Sequence, residues 1–318
     1  QIVADFQTVT LDDLSDGEVV IRAEYSGINY KDALAATGAG KILRRYPLTG
    51  GIDVAGRVVT SSSSAFKPGA PVLVTGCGLS ETRDGGYSEF VRVPASAVIE
   101  LPDTMTMWDA MCLGTAGFTA ALAVTRMEDN GLESGAGPVV VTGATGGVGS
   151  VAVDLLAGRG YSVTAVTGKA EAWDYLRTLG ATDILLRDDI DYGNRPLEKS
   201  SWAGAVDNVG GVTLTWLTRT TNYGGSIASV GLAGGHVLNT TVMPFILRGV
   251  NLLGINSVDT PHALRQRVWK RLATDLAPRT LDTIGAKTIP FHALPDHFTQ
   301  YLRGGIVGRT IVRIADDA

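Results

Sequence analysis

The pattern of apolar and polar positions changes near residue 113. Beyond it, short apolar runs alternate with stretches in which apolar residues recur at helical spacing. The runs predict strands at 139–142, 162–166, 183–186, 204–207, 226–230 and 251–255. The periodic stretches predict helices near 148–158, 170–179, 212–221 and 243–248. This alternation is typical of an α/β fold with a doubly wound parallel sheet, the Rossmann arrangement, with right-handed crossovers.

The residues before 113 predict a second, smaller domain. Short strands are predicted at 18–29, 54–60, 72–74, 87–93 and 98–99. Glycine and proline separate these runs, which favours a compact antiparallel β-domain. A helix at 263–275 and a terminal strand at 310–314 follow the parallel sheet, and we expect both to return to the first domain. The predicted domains are therefore 1–112 with 258–318, and 113–257.

A glycine-rich turn follows the first strand of the Rossmann domain. Val139–Val141 form an uninterrupted β-branched run, as expected of a buried parallel strand. Glycines then occur at 143, 146, 147 and 149, and an amphipathic helix begins. Backbone N–H groups at such a helix N-terminus bind a pyrophosphate. We therefore predict dinucleotide contacts at Thr145, Gly146, Gly147 and Val148; the alternative is a plain glycine-rich turn.

The ends of the next strands indicate which dinucleotide binds. An NAD site usually has an acidic residue about 20 positions after the glycines. Here the second strand ends in Thr167-Gly168-Lys169, and Arg187 follows the third strand. A hydroxyl and two cations suit a 2′-phosphate, so we predict NADPH; the alternative is that both cations are solvated surface charges. Asn208 ends another strand, where ligands bind in this fold, and is a further predicted cofactor contact.

Composition narrows the class of protein. The net charge of −5 argues against a nucleic-acid surface. We see no apolar run that approaches the length of a membrane span and no signal-peptide layout, so we expect no membrane association. Only two cysteines occur, which favours a reducing, cytoplasmic location. The chain begins at Gln1 rather than at methionine, so we expect that a few leading residues are missing.

Several motifs resemble those of a known family. Those at 29–32, 51–56 and 114–120, together with the glycine loop, resemble the medium-chain dehydrogenase/reductase superfamily. Those at 222–225, 231–235 and 243–248 are similar to its zinc-independent, quinone-oxidoreductase-like branch, which contains NADPH-dependent acrylyl-CoA reductase. The resemblance implies a GroES-like fold for the smaller domain. It also implies an additional strand ahead of residue 1.

The same resemblance bears on metal binding. Zinc-dependent relatives have Gly-His-Glu where this chain has Gly51-Ile52-Asp53, and isoleucine cannot coordinate a metal. The cysteines and histidines show no paired ligand spacing, so we predict no metal site. Without a Lewis acid, alcohol dehydrogenation is disfavoured and reduction of an activated C=C bond is favoured.

The predicted reaction is transfer of a hydride to the β-carbon of an α,β-unsaturated thioester, followed by protonation of the α-carbon. The resemblance places Asn29 and Tyr30 beside the nicotinamide and implies a catalytic role for both. A tyrosine hydroxyl is protonated at neutral pH and can donate, although a water molecule is an equal alternative. The resemblance also places Leu232, Ile246 and Ser257 near the nicotinamide and ribose; the two apolar residues fit a core role equally well.

A CoA substrate requires positive charge for its phosphates. Lys41, Arg44 and Arg45 cluster after the Asn29 motif, and Arg83 lies in a glycine-flanked loop. These four residues are predicted substrate contacts, with a solvated basic loop as the alternative. The predicted function is NADPH-dependent reduction of an acyl thioester, acrylyl-CoA to propionyl-CoA.

Two alternatives to this function remain. One is an NADPH:quinone or enone oxidoreductase, and the other is a non-catalytic NADPH-binding protein. The strand at 251–257 is predicted to be an apolar sheet edge, and relatives pair such edges across a two-fold axis. We therefore expect a homodimer.

Overall fold

The computed structural model describes residues 2–314, which form two compact units. The first unit comprises everything described up to Ala116, Ser257–Ala273, and everything from Gly285 onward. The second comprises Gly117–Asn256 and Thr274–Ile284. The sequence placed the first boundary near 113 and assigned all of 258–318 to the first domain. In the structure, Thr274–Ile284 belongs to the second unit, because Asp154 accepts hydrogen bonds from the backbone N–H groups of Arg279 and Thr280.

The regular elements are numbered in chain order. The strands are β1 Val19–Ile28, β2 Asp53–Ser61, β3 Pro71–Thr75, β4 Phe90–Val93, β5 Ile99–Glu100, β6 Val139–Thr142, β7 Val163–Thr167, β8 Asp183–Leu186, β9 Trp202–Asp207, β10 Thr221–Ser229, β11 Asn251–Gly254, β12 Lys287–Pro290 and β13 Thr310–Arg313. The helices are α1 Tyr30–Thr37, α2 Met107–Asp129, α3 Gly147–Gly158, α4 Trp173–Thr178, α5 Gly211–Thr220, α6 Met243–Arg248, α7 His262–Leu272, α8 Leu281–Ile284 and α9 Leu294–Leu302.

The first unit is built on a twisted sheet with the order β12-β13-β1-β2-β3-β5, and β4 also pairs with β1. Its pairs are antiparallel except β12–β13, which run parallel because α9 forms a crossover between them. In β1, Val19 and Ile21 are buried in the core while Arg22 is exposed, as the alternating pattern predicts. The sheet is thus antiparallel as expected apart from this one parallel pair.

The second unit contains a wholly parallel sheet with the order β11-β10-β9-β6-β7-β8. All residues of β6 and β9 are buried, which explains why these strands are apolar runs rather than alternating sequences. Strand order reverses between β6 and β9, and ligands bind at the carboxyl ends of strands at such a point. The predicted fold class, a Rossmann sheet with a smaller β-domain, is confirmed.

Helix α2 corrects the sequence analysis on one point. It has 23 residues and is long and apolar enough by composition to cross a membrane, so the statement that no run approaches that length is wrong. Its most apolar window is 83% buried inside the structure, as expected of a core helix in a soluble protein. Gly114, at φ 50° and ψ −154°, interrupts the helix geometry. This interruption and the neighbouring glycines concealed the helix in the sequence.

Candidate functional site

The glycine loop lies between β6 and α3 in the second unit. Gly143 has a φ of 59°, a left-handed conformation that suits glycine, and its carbonyl accepts the N–H of Gly146 at 3.0 Å. Gly146 is the N-cap of the twelve-residue α3 and has no side chain to occupy the helix end. Thr145 is buried, whereas Gly146, Gly147 and Val148 are partly exposed. The N–H groups of the first turn are therefore placed to meet an anion.

Gly149 allows the helix to approach the strand. A Cβ atom at this position would lie 2.3 Å from the carbonyl oxygen of Gly143 and 2.7 Å from the Cα of Ala144. Both atoms are backbone and cannot move aside, so only glycine fits here. This is the role of the third glycine in a dinucleotide-binding turn.

Two cations lie at the tips of β7 and β8, where the sequence predicted a 2′-phosphate site. The guanidinium carbon of Arg187 would be 3.3 Å from a Cβ at Gly168, so Arg187 packs over this glycine. The Arg187 side chain is 54% exposed and pairs with Asp188 at 2.9 Å. Burial lowers the pKa of the Lys169 ammonium. The backbone N–H of Lys169 donates to the Thr167 hydroxyl at 3.0 Å. The structure therefore brings Arg187 to the Thr167–Lys169 tip, although 18 residues separate Lys169 from Arg187.

A buried hydrogen-bond group joins β6 to β9 beside the glycine loop. The Thr142 hydroxyl donates to Asp207 Oδ1 at 2.7 Å and accepts the N–H of Asn208 at 3.0 Å. The Asn208 amide Nδ2 donates to the Thr142 carbonyl at 2.8 Å. Asn208 Oδ1 is buried and has no partner among residues 2–314. It is thus an acceptor left unsatisfied at the strand end where this fold binds ligands.

Two apolar residues predicted to contact the cofactor lie on the surface of the second unit. Leu232 is 66% exposed, and its Cα would be 3.2 Å from a Cβ at Gly210, in the turn that follows Asn208. Ile246 lies on α6 and is 73% exposed. Neither is a core residue, so the alternative of a packing role is not supported.

The first unit contains a buried polar network that the sequence analysis did not identify. Asn29 Nδ2 donates to Asp53 Oδ2 at 2.8 Å and to Asp32 Oδ2 at 3.2 Å, and Asn29 Oδ1 accepts from Arg309 Nη1 at 2.9 Å. The N–H and hydroxyl of Thr115 donate to Asp53 Oδ1 at 3.0 and 2.5 Å. Arg309 Nη2 lies 3.7 Å from Asp53 Oδ2. We call these five residues, Asn29, Asp32, Asp53, Thr115 and Arg309, the polar network.

Asp32 is the third residue of α1 and closes a capping box with Asn29. Its Oδ2 accepts the N–H of Asn29 at 2.8 Å, and its Oδ1 accepts the N–H of Ile52 at 3.0 Å. Burial raises the pKa of Asp32 to about 7, and the charge of Asp53 acts in the same direction, whereas the N–H donors oppose the rise. The neighbouring Lys31 pairs with Glu81 rather than with Asp32.

The two residues predicted to be catalytic, Asn29 and Tyr30, differ in how accessible their side chains are. Asn29 is buried at 8% exposure, and both its amide nitrogen and its oxygen are engaged inside the polar network. It has no free group for a substrate, so the geometry supports a positioning role instead of the predicted catalytic one. Tyr30 is the first residue of α1 and is 51% exposed. Its side chain is accessible at a backbone position that Asn29 fixes.

The four predicted substrate cations fall into two classes. Arg45 donates to Asp84 at 2.6 Å and to the Ser15 hydroxyl at 2.6 Å, and Arg83 donates to the Asp16 carbonyl at 2.8 Å. These contacts hold surface segments together. Lys41 and Arg44 are exposed, and within residues 2–314 their side chains have no hydrogen bond or ion pair. The structure thus leaves these two available for an anionic ligand.

Ser257, another predicted contact, belongs to the first unit by its packing. Its carbonyl accepts from Arg265 Nη2 at 2.8 Å. Arg265 is buried and also donates to the Thr75 carbonyl at 2.7 Å. The serine hydroxyl is therefore carried on a segment fastened to β3. The contact of Arg265 with Thr75 was missed because the two residues are 190 positions apart.

The residues present do not fit a zinc ion. No group of three or more His, Cys, Asp or Glu side chains within residues 2–314 could hold a metal. Ile52 is buried where zinc-dependent relatives carry histidine, and Asp53 is committed to Asn29, Thr115 and Arg309. The positive charge beside Asp53 is the Arg309 guanidinium.

Comparisons with known proteins agree with this geometry. Residues 15–103 match the family model described as alcohol dehydrogenase GroES-like domain, and residues 147–274 match the one described as zinc-binding dehydrogenase. The chain is 48% identical to acrylyl-CoA reductase AcuI of Ruegeria pomeroyi, over 98% of this chain and 94% of that protein. It is also 48% identical to YhfP of Bacillus subtilis, which carries a quinone oxidoreductase name, over 97% and 94% of the two chains.

Solved structures give the same result. The structure of Escherichia coli YhdH with bound NADPH superposes with a TM-score of 0.95 at 45% identity, covering 98% of this chain and 96% of that one. The structure of Bacillus subtilis YhfP with NAD bound superposes with a TM-score of 0.94, covering 96% and 94%. The similarity thus extends over both units.

Proposed function

The chain belongs to the medium-chain dehydrogenase/reductase family, and from this premise we propose that it is an NADPH-dependent reductase of α,β-unsaturated acyl thioesters. The substrate that fits best is acrylyl-CoA, reduced to propionyl-CoA. The observation that carries this proposal is the 48% identity to acrylyl-CoA reductase over almost the whole chain. At this identity, similarity extends beyond the fold, which by itself would leave the substrate open.

We assign the cofactor to the second unit. The Gly146–Val148 turn is suited to the pyrophosphate, because it is partly exposed and the N-cap carries no side chain. Lys169 and Arg187 are assigned to the 2′-phosphate, and Asn208 Oδ1 is an unsatisfied acceptor for a cofactor hydroxyl or amide. Leu232, Ile246 and Ser257 remain proposed contacts of the nicotinamide and ribose.

NADPH supplies the hydride when bound. The protein must then stabilise negative charge on the thioester carbonyl oxygen and provide a proton for the α-carbon. We assign the proton to the Tyr30 hydroxyl, which is accessible and held at the start of α1. Lys41 and Arg44 are proposed to meet the phosphates of CoA, because their charges have no partner within the described residues.

Steady-state rates test the assignment. NADPH oxidation followed by absorbance should be faster with acryloyl-CoA than with naphthoquinone. Tyr30→Phe should lower kcat for acryloyl-CoA by about 10² or more if the hydroxyl donates the proton. Tyr223→Phe is the matched control, because this tyrosine is 85% exposed in the second unit. Near-normal turnover in Tyr30→Phe would assign the proton to water.

The quinone or enone reductase is a second candidate, because YhfP carries a quinone oxidoreductase name at the same identity. Faster turnover of naphthoquinone than of acryloyl-CoA would favour it. Tight NADPH binding without turnover of any enal, enone, quinone or enoyl-CoA would instead leave a non-catalytic NADPH-binding protein.

We also propose a cytoplasmic homodimer. Strand β11 is the end strand of the parallel sheet, and its Leu252 is 38% exposed. An exposed apolar edge of this kind is stabilised when a second copy pairs with it. Light scattering should give twice the chain mass, and Leu252→Lys should shift the protein toward monomer. Within residues 2–314, Cys77 and Cys112 form no disulfide, which fits a reducing compartment.

A further inference from the structure

We propose that Arg309 is a positioning residue for catalysis: its guanidinium fixes the Asn29 amide and thereby the start of α1, which carries Tyr30. This inference rests on the proposed role of Tyr30 as proton donor. It goes beyond that role because it identifies the residue that holds Tyr30 in place, Arg309, which lies near the end of the described chain.

Four of the five N–H groups of Arg309 donate hydrogen bonds inside the first unit. The residue is 3% exposed. Nε donates to the Cys112 carbonyl at 3.1 Å, and Nη1 donates to the Ile28 carbonyl and to Asn29 Oδ1, both at 2.9 Å. Nη2 donates to the Met111 carbonyl at 3.4 Å and faces Asp53 Oδ2 at 3.7 Å. Because this guanidinium is buried and all its nitrogens face protein groups, its contribution must pass through its neighbours.

Two glycines show that the backbone is shaped around this guanidinium. A Cβ at Gly27 would lie 2.8 Å from Arg309 Nη2. A Cβ at Gly114 would lie 2.7 Å from the same nitrogen and 2.5 Å from Asp53 Oδ2. Gly114 is also where α2 is interrupted, at a φ of 50°. Strand β1 and helix α2 therefore each approach one planar cation at a glycine. A flexible ammonium would not fill this position in the same way.

Asn29 connects this cation to Tyr30. Its oxygen faces Arg309, its nitrogen faces two carboxylates, and its backbone is the N-cap of α1. The amide orientation is thus determined by charge on both sides: the cation meets the oxygen and the anions meet the nitrogen. Without Arg309, the oxygen loses its donor, Asp53 loses its nearby positive charge, and the cap that precedes Tyr30 is no longer held in one orientation.

The surrounding charges explain why a cation is required here. Asp32 on α1 and Asp53 on β2 lie on either side of the Asn29 amide, and both are almost fully buried. Burial raises the pKa of Asp32, and the charge of Asp53 raises it further. Two buried carboxylates without a cation are strongly unfavourable. Arg309 therefore provides the charge balance as well as the geometry.

A double-mutant cycle on the full-length protein tests the proposal. Arg309→Lys should lower kcat for acryloyl-CoA at least tenfold, while the Kd for NADPH, a ligand of the second unit, changes by less than twofold. In a Tyr30→Phe background, Arg309→Lys should lower kcat by less than threefold further, because the group it positions is already gone. A purely structural arginine would instead cause the same fold-loss in both backgrounds, which overturns the proposal.

A second variant applies if Arg309→Lys does not fold. Asn29→Ser retains a capping side chain for α1 and removes the acceptor that faces Arg309. It should show the same loss of kcat, again absent in the Tyr30→Phe background, and wild-type kcat in Asn29→Ser overturns the proposal. If Tyr30→Phe alone is fully active, both this inference and the assignment of Tyr30 fail. If Tyr30→Phe is impaired and the losses are additive, only the role of Arg309 fails.

Discussion

Replacement of Arg187 by alanine should weaken the binding of NADPH and leave the binding of NADH almost unchanged. The guanidinium packs over Gly168 at the tip of β7, where the ribose 2′-position is expected. NADH has a hydroxyl at that position and gains nothing from the cation. The selective effect follows from charge, because the two cofactors differ only in the 2′-phosphate.

The size of the loss in NADPH affinity depends on how exposed Arg187 is and on its competing contact with Asp188. A hydrogen bond to a charged group contributes about 1.5–3 kcal/mol. The Arg187 side chain is 54% exposed and already pairs with Asp188, so solvent screening and exchange of partners reduce the net gain. We expect a loss of about 1–2 kcal/mol, which is roughly a 5- to 30-fold increase in the Kd for NADPH. The Kd for NADH should change by less than about twofold on the same scale.

Calorimetric titration of both cofactors measures this directly. Arg195→Ala is the matched control, since Arg195 is an exposed arginine of the same unit that pairs with Glu198. Asp188→Asn should tighten NADPH binding a few-fold, because it removes the competing carboxylate. Equal losses for NADPH and NADH, or no loss for either, would refute the assignment of Arg187 to the 2′-phosphate.

Gly168→Asp should have the opposite effect on cofactor preference to a gain of positive charge at this site. A carboxylate at this position would lie against the Arg187 guanidinium, given the 3.3 Å separation from a Cβ. It would neutralise the cation and repel a 2′-phosphate, so the preference should move toward NADH. A relative solved with NAD bound shows that the family fold accommodates the unphosphorylated carrier.

Three further outcomes are expected. Gly149→Ala places a Cβ 2.3 Å from a backbone carbonyl, so it should cost about 1–3 kcal/mol in thermal unfolding and weaken NADPH at least tenfold by calorimetry. Arg44→Ala should raise KM for acryloyl-CoA but not for naphthoquinone, whereas Arg45→Ala, which breaks an ion pair, should lower stability by about 1 kcal/mol. Because the pKa of Asp32 is raised to about 7, its contribution to stability falls as pH rises from 4 to 7. Between pH 5 and 8, the free energy of unfolding measured in urea should therefore fall by about 2–3 kcal/mol less in Asp32→Asn than in the wild-type protein.

The parallel sheet was predictable from sequence because its signals are local. Each buried strand is a short apolar run, and β6, α3 and the loop between them fall within 20 residues. Most of the glycine positions also follow from local rules, since Gly143 requires a left-handed φ and Gly149 a close approach. These requirements are visible in a strand–turn–helix segment without knowledge of the rest of the chain.

The polar network could not be predicted in the same way. Asn29 and Arg309 are 280 positions apart, and neither lies in a pattern that points to the other. The motif that contains Asn29 was recognised, and a catalytic role was assigned to Asn29 from the family resemblance. Its burial and its three partners emerge only when β1, β2 and the segment before β13 pack together.

Helix α2 was missed for a related reason. Gly114 and Gly117 lie within it, and helix propensity disfavours glycine by about 1 kcal/mol at each position. In the structure the left-handed Gly114 is needed to make room for Asp53 and Arg309. The backbone is non-helical at this glycine, and tertiary packing determines that helix continues on both sides of it.

The use of an arginine at the centre of the first unit restricts what this site can do. A catalytic metal keeps an open coordination position for substrate. Arg309 has no open position, because its N–H groups are donated to three carbonyls and to Asn29 or face Asp53. Such a cation can hold its neighbours in place but cannot contact a thioester oxygen. Positioning and proton donation are therefore assigned to different residues, so Arg309→Lys should lower stability and kcat together, whereas Tyr30→Phe, at an exposed side chain, should lower kcat alone.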